Sequence, residues 1–173
     1  NALNDRPTDV IYLTMANFLT VEGKLDTAMQ YLDKALDVEP FGSVNINYKG
    51  FLYYMKEQYD LAMPYFKRSL DIQPELPFPV VYIGASHLLS GRLDEGLAYF
   101  NMLPEDDSGF LAKIGGTAIS HAMMGNFSEA NEGISKLESF LETPSIGNAL
   151  NFLILCHAQL NNLETALGYI EKA

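Results

Sequence analysis

Leu25-Asp26-Thr27-Ala28 returns, at a nearly fixed interval, to the end of the chain. It becomes Tyr59-Asp60-Leu61-Ala62, Leu93-Asp94-Glu95-Gly96, Phe127-Ser128-Glu129-Ala130 and Leu163-Glu164-Thr165-Ala166. The first four copies begin at 25, 59, 93 and 127, a period of 34; the fifth, at 163, comes two residues late. Glycine stands two residues ahead of three copies, as Gly23, Gly91 and Gly125, with Glu57 and Asn161 in the same place ahead of the others. A 34-residue period of this content marks an array of paired-helix repeats.

Each copy reads as the joint between a helix A and a helix B. The Asp or Ser is expected to cap helix B, its side-chain oxygen accepting from orphan N–H groups of the first turn. The glycine supplies the left-handed backbone that ends helix A. The Ala or Gly that closes the copy lets the two helices approach closely.

Composition bounds the function. The chain has 173 residues, 48% of them hydrophobic, which suits a folded core rather than a disordered segment. Lys plus Arg number 11 against 22 Asp plus Glu, a formal charge of −11. Direct nucleic-acid binding needs a basic footprint, and docking on anionic lipid needs the same, so neither is expected. No apolar run reaches spanning length; the longest, Ala149 to Leu160, contains Asn151, His157 and Gln159. The one cysteine, Cys156, cannot form an internal disulfide. No leader peptide is visible, and the chain is read as cytoplasmic, with Asn1 not taken as the natural start.

In chain order, residues 1–8 form a polar lead-in containing Pro7. Five repeats follow, at 9–42, 43–76, 77–110, 111–144 and a truncated 145–173. Tyr12, Met15, Ala16, Leu19, Ala28, Leu32 and Ala35 form the apolar stripe of the first. Pro40 and Pro74, again 34 apart, stop helix B of the first two.

These residues resemble the tetratricopeptide repeat family. Tyr12, Ala16, Ala28, Ala35 and Pro40 fit its pattern, as do Gly50, Tyr53, Ala62, Phe66 and Pro74. Repeat 2 departs at Lys49, where the family is apolar, and at Ser69, where it has Ala. The resemblance covers nearly the whole chain. It implies an all-α fold, a right-handed superhelical stack of about five helix-turn-helix repeats.

Repeat 3 opens on Pro77-Phe78-Pro79, a stiff entry suited to a first helical turn. Pro104 falls inside its expected helix B, which should therefore end near Leu103, before the acidic loop Glu105-Asp106-Asp107-Ser108-Gly109. That loop lacks calcium-binding spacing and reads as solvated. His87, His121 and His157 share one register with Tyr53 and Leu19. Neighbouring helix axes lie roughly 8–10 Å apart, too far for three imidazoles to converge on one metal, so the histidines read as packing residues with a polar tip. Cys156, amid Phe152-Leu153-Ile154-Leu155, reads as a small core residue. Gly115-Gly116 reads as a site of close helix approach or a local kink. No catalytic or cofactor-binding pattern is present, so neither enzyme activity, cofactor nor metal is expected.

Function then falls to a surface. In the resembled family helix A lines a concave groove, which here corresponds to Leu13, Asn17, Asn47, Phe51, Tyr54, Met55, Phe78, Val81, Tyr82, Leu88, Leu89, Ile119 and Met123. Family members that clamp acidic peptide tails use cations on these helices. This chain keeps Asn17 but has Leu13, Phe78 and Tyr82 in the cation positions, so tail binding is not carried over. An apolar, aromatic groove on an acidic body remains. The expected function is a protein-interaction module holding a peptide, a partner helix, an adjoining domain or a second copy of the chain. The alternative is a sensory or scaffolding segment of a larger bacterial regulator with a separate DNA-binding or enzymatic domain. The later repeats look similar to arrays found beside such domains.

Overall fold

The structure is a computed structural model that describes residues 8–105, 109–143 and 146–172. The lead-in before Thr8, the acidic loop's Asp106, Asp107 and Ser108, and Pro144 and Ser145 lie outside them. The described residues form ten helices and no strand: α1 (Asp9–Val21), α2 (Leu25–Val38), α3 (Ser43–Met55), α4 (Tyr59–Ile72), α5 (Pro77–Leu89), α6 (Leu93–Met102), α7 (Phe110–Met124), α8 (Phe127–Glu138), α9 (Ile146–Gln159) and α10 (Leu163–Ile170).

The joints repeat atom by atom. Gly23, Gly91 and Gly125 have φ of 74°, 76° and 80°, and Glu57 and Asn161 take the same left-handed conformation at 58° and 57°. The next amide in each joint reaches back to a carbonyl five residues earlier: Lys24 to Leu19 (2.8 Å), Gln58 to Tyr53 (2.9 Å), Arg92 to His87 (2.9 Å), Asn126 to His121 (2.9 Å) and Asn162 to His157 (2.8 Å). These are the bonds of a Schellman stop, and they satisfy carbonyls that the end of helix A leaves open.

The capping expectation is corrected. Helix B starts at Leu25, Tyr59, Leu93, Phe127 and Leu163, so its N-caps are Lys24, Gln58, Arg92, Asn126 and Asn162, none making a side-chain cap bond. The residue that follows each left-handed position is therefore the N-cap. Its carbonyl takes the first helical bond, from Ala28 (2.9 Å) or its equivalents. Asp26, Asp60, Asp94, Glu129 and Glu164 lie inside the first turn, where a negative charge complements the helix dipole. Asp26 also accepts from Lys56 at 2.6 Å.

Glu57 carries the strain that three joints avoid. A left-handed L-residue costs roughly 1–2 kcal/mol, partly offset by the backbone entropy that glycine loses on folding. Glu57→Gly is expected to raise stability by about 0.5–1 kcal/mol in chemical denaturation. Gly23→Ala, with open space around the new methyl, is expected to lower it by a similar amount through backbone strain alone.

The chain divides into two compact units, one ending at Tyr82 and one starting at Ile83, with the division inside α5. In the first, α1 packs on α2, α2 on α3 and α3 on α4. Ala16, Ala28, Leu32, Ala35 and Leu52 form its buried cluster. Both family departures in repeat 2 are chemically satisfied. Ser69 is fully buried and its hydroxyl donates to the Ser43 carbonyl at 2.9 Å. Lys49 bonds Asp33 and reaches over the Tyr65 ring at 5.5 Å. Burial, the largest single influence, pulls its ammonium down, yet the Asp33 carboxylate together with Tyr65 and Tyr53 outweighs it and the pKa is raised.

In the second unit α7 packs on α6, α8 and α9, and α9 on α8 and α10. Ala118, Ile134, Leu137, Leu150, Leu153, Cys156 and Tyr169 form its core. Gly115-Gly116 is a close-approach site within α7. A Cβ on Gly115 would fall 2.1 Å from Phe152, and one on Gly116 2.0 Å from Phe100. α6 ends at Met102 with Leu103 as its cap, as Pro104 requires. It has 10 residues, and α10 is shorter still at 8.

Candidate functional site

The first unit holds nine of the expected groove positions. Tyr48, Phe51, Tyr82, Tyr54 and Tyr59 form a continuous ladder of rings. Centroids are 5.5 Å apart for Tyr48–Phe51, 5.1 Å for Phe51–Tyr82, 5.5 Å for Tyr82–Tyr54 and 5.6 Å for Tyr54–Tyr59. Phe66, fully buried on α4, stacks beneath Tyr82 at 5.4 Å. Burial raises the phenol pKa of Tyr48, Tyr54 and Tyr82. The exposed Asn17 on α1 accepts from the Tyr48 hydroxyl at 2.8 Å, which ties the ladder's near end to the first helix. Leu13, one turn before Asn17, is half-buried.

Two apolar side chains stand beyond the ladder. Phe78 lies one turn before Tyr82 on α5 and is 59% exposed; Met55 lies one turn after Phe51 on α3 and is 46% exposed. Side chains four apart share a helix face, so Phe78, Tyr82, Phe51 and Met55 belong to one aromatic surface. Val81 and Asn47 are half-buried. The Asn47 carboxamide oxygen is buried and has no hydrogen-bond partner.

The second unit holds the other four positions, and one is corrected. Leu88 is 5% exposed and belongs to the core. It is the 34-residue equivalent of Tyr54, and it packs against a glycine of helix B. Where repeat 2 has Ala62, repeat 3 has Gly96, and a Cβ there would fall 2.5 Å from the Leu88 side chain. Leu88 fills the space that the missing methyl leaves. Leu89 is exposed, Met123 half-buried, and Ile119 half-buried against the unit's core.

The histidine register is a packing register. His87 stacks on Tyr99 and His157 on Tyr169, as Tyr53 does on Tyr65. The Arg92 side chain donates to His87 Nδ1 at 2.9 Å. No cluster among the described residues could hold a metal ion. Cys156 is fully buried and its thiol is pushed up to about 12, the state of a core residue rather than a nucleophile.

His157 is 9% exposed, and neither ring nitrogen has a hydrogen-bond partner. Burial lowers its pKa, outweighing the nearby Glu138 carboxylate. The unfolded chain then binds the proton more readily than the native one, so stability falls as pH drops below about 6.5, the ordinary histidine value, toward the depressed native value. His157→Tyr, which copies the Tyr53–Tyr65 pair, is expected to flatten the melting temperature between pH 7 and pH 5. A profile as steep as the parent's assigns that loss to other groups.

The geometry places Gly50 against Phe66, Ala62 in the core and the Tyr53 carbonyl in the helix stop. A tetratricopeptide repeat family model matches this same stretch, residues 49–76. Residues 49–76 therefore carry the tetratricopeptide repeat pattern. Among solved structures, the chain resembles PilW, described as a widely conserved type IV pilus biogenesis factor. The TM-score is 0.72 at 20% identity, over 95% of this chain and 75% of that one. A tetratricopeptide repeat protein from Parabacteroides merdae also gives a TM-score of 0.72, at 19% identity over 99% of this chain and 65% of that one. YrrB, described as having an unusual peptide-binding site, gives 0.57 at 22% identity, over 95% and 84%. At these identities the likeness is one of fold. Comparison with curated protein sequences gives no match. Among the described residues, no helix is long and apolar enough to cross a membrane.

Proposed function

We propose that this chain is a protein-interaction module that holds an apolar segment of a partner protein on the aromatic surface of its first unit. The observation that carries the reading is the pairing of a ring ladder, fixed from below by Phe66, with Phe78 and Met55 exposed on the same helix faces. Rigid aromatic surface of this kind supplies contact area at low entropic cost, and a few such anchors commonly dominate an interface. The formal charge of −11 favours a segment with basic flanks, and added salt should slow encounter more than it weakens the final grip. The proposed setting is the cytoplasm; the one thiol, Cys156, is buried and calls for no oxidising compartment.

The test uses a fluorescent peptide with an apolar centre and lysine flanks, followed by anisotropy. Phe78→Ala is expected to weaken binding about tenfold, or ~1.4 kcal/mol, while thermal stability changes by less than about 0.5 kcal/mol, as at most exposed positions. Sedimentation of the free chain, run alongside, reports a second copy as occupant. Unchanged peptide affinity in both Phe78→Ala and Met55→Ala refutes this surface.

A further inference from the structure

In three repeats a tyrosine of helix B stacks on the ring twelve residues before it on helix A. Centroid distances and interplanar angles are 5.5 Å and 18° for Tyr53–Tyr65, 5.3 Å and 15° for His87–Tyr99, and 5.6 Å and 27° for His157–Tyr169. Twelve residues after His121 the chain has Gly133. Among the described residues no ring stacks on His121, whose Nδ1 lies 3.4 Å from the Asn126 amide nitrogen. A cleft of about 220 Å³ opens where the tyrosine would sit, lined by His121 and Thr117 of α7, Gly133 and Glu132 of α8, and Asn101 of α6.

We propose that this cleft receives a tyrosine side chain from a partner polypeptide. The proposal rests on the protein-interaction reading above and adds a second, chemically distinct seat to it. The size is sufficient, since a cavity of roughly 150 Å³ already takes a benzene-sized ring. The chain cannot fill the seat from position 133, because a Cβ there would lie 2.6 Å from the Ala118 Cβ. α7 and α8 are too close for a side chain to start between them, so the ring comes from outside.

The polar contacts select a phenol. In repeat 5 the Tyr169 hydroxyl donates to Glu138, on the preceding helix B, at 2.8 Å. In repeat 4 the preceding helix B is α6, and its exposed Asn101 lines the cleft with a carboxamide that can accept the same hydroxyl. Glu129, exposed at the cleft, favours lysine or arginine beside the incoming tyrosine. Glu132 is already engaged by Lys136 at 2.7 Å.

The experiment follows the imidazole C–H signals of His87, His121 and His157 by NMR during three titrations. The probes are N-acetyl-tyrosinamide, a Lys-Tyr-Lys-centred peptide, and the same peptide with phenylalanine for tyrosine. The expected result is a saturable upfield shift of His121 alone, with the tyrosine peptide at least tenfold tighter than the amide and several-fold tighter than the phenylalanine peptide. His121→Ala and the surface variant Asn101→Ala should each weaken the tyrosine peptide, by about tenfold and several-fold, with melting unchanged for Asn101→Ala. No His121 shift with any probe, or equal movement of all three histidines, overturns the site. An amide as tight as the peptide assigns the cleft to small phenols and overturns the partner assignment. Phe78→Ala should leave these titrations unchanged, so failure of the cleft and failure of the first-unit surface are read separately.

Discussion

Gly116→Ala is expected to destabilise the chain by about 3 kcal/mol, the upper part of the usual range for forcing extra volume into a packed core. Two effects oppose each other here, and their magnitudes decide the sign. Alanine in a helix interior gains about 0.8–1 kcal/mol over glycine in propensity alone. Against that, the new methyl would sit 2.0 Å from Cδ1 and 2.3 Å from Cγ of Phe100. Those atoms are at the root of the ring, which is 3% exposed and also lies 3.0 Å from where a Cβ on Gly84 would be. Phe100 is held between two glycines and has no direction in which to retreat. Gly168→Ala is the control: nothing lies within 4 Å of its Cβ position, so propensity should win there and stability should rise by several tenths of a kcal/mol. Urea denaturation of both variants, with Phe100→Leu added to Gly116→Ala as a rescue, checks the account. A Gly116→Ala variant as stable as the Gly168→Ala one would mean that Phe100 has room that its neighbours do not show.

That glycine pair also marks what the sequence could and could not tell. The 34-residue period made the helix order, the joints and the left-handed positions legible, because backbone geometry repeats with sequence. Pro104 located the end of α6 for the same reason, through its missing amide. The capping assignment was off by two residues: Asp26 and its equivalents are polar and early, and only the backbone shows that the helix already begins at Leu25, with Lys24 as its N-cap. Side-chain exposure was less legible, since it depends on what faces each position. Tyr54 and Leu88 share a register, yet Tyr54 is half-buried in a ring ladder while Leu88 is a core residue closed against Gly96. The parts of the ladder outside the groove reading, Tyr48, Tyr59 and Phe66, carried a partial signal: Tyr48 and Tyr82 stand 34 apart. The cleft at His121 was written in the same period, as the glycine at 133 where 65 and 99 are tyrosine, but a missing ring says nothing until the neighbouring rings are seen to stack.

Phe66→Ala should remove about 3–5 kcal/mol, the cost of truncating a fully buried phenylalanine, and should damage the aromatic surface from below. The ring is inaccessible to solvent and closes against Gly50, where a Cβ would fall 2.7 Å from it. Its other face stacks on Tyr82 at 5.4 Å and 19°. Tyr82 in turn supports both Phe51 and Tyr54, so the cavity lies under the centre of the ladder. Burial is what raises the Tyr82 pKa; with Phe66 gone, water reaches the phenol and its titration should move to lower pH. Three readouts then separate from those of Phe78→Ala. Phe66→Ala should lower the urea midpoint, shift part of the tyrosinate absorbance titration toward neutrality, and weaken the apolar peptide although residue 66 never touches it. Phe78→Ala should do only the last. A Phe66→Ala chain that keeps its stability within about 1 kcal/mol would show that the ring is no wedge, and the fixed ladder on which the binding surface depends would have to be abandoned.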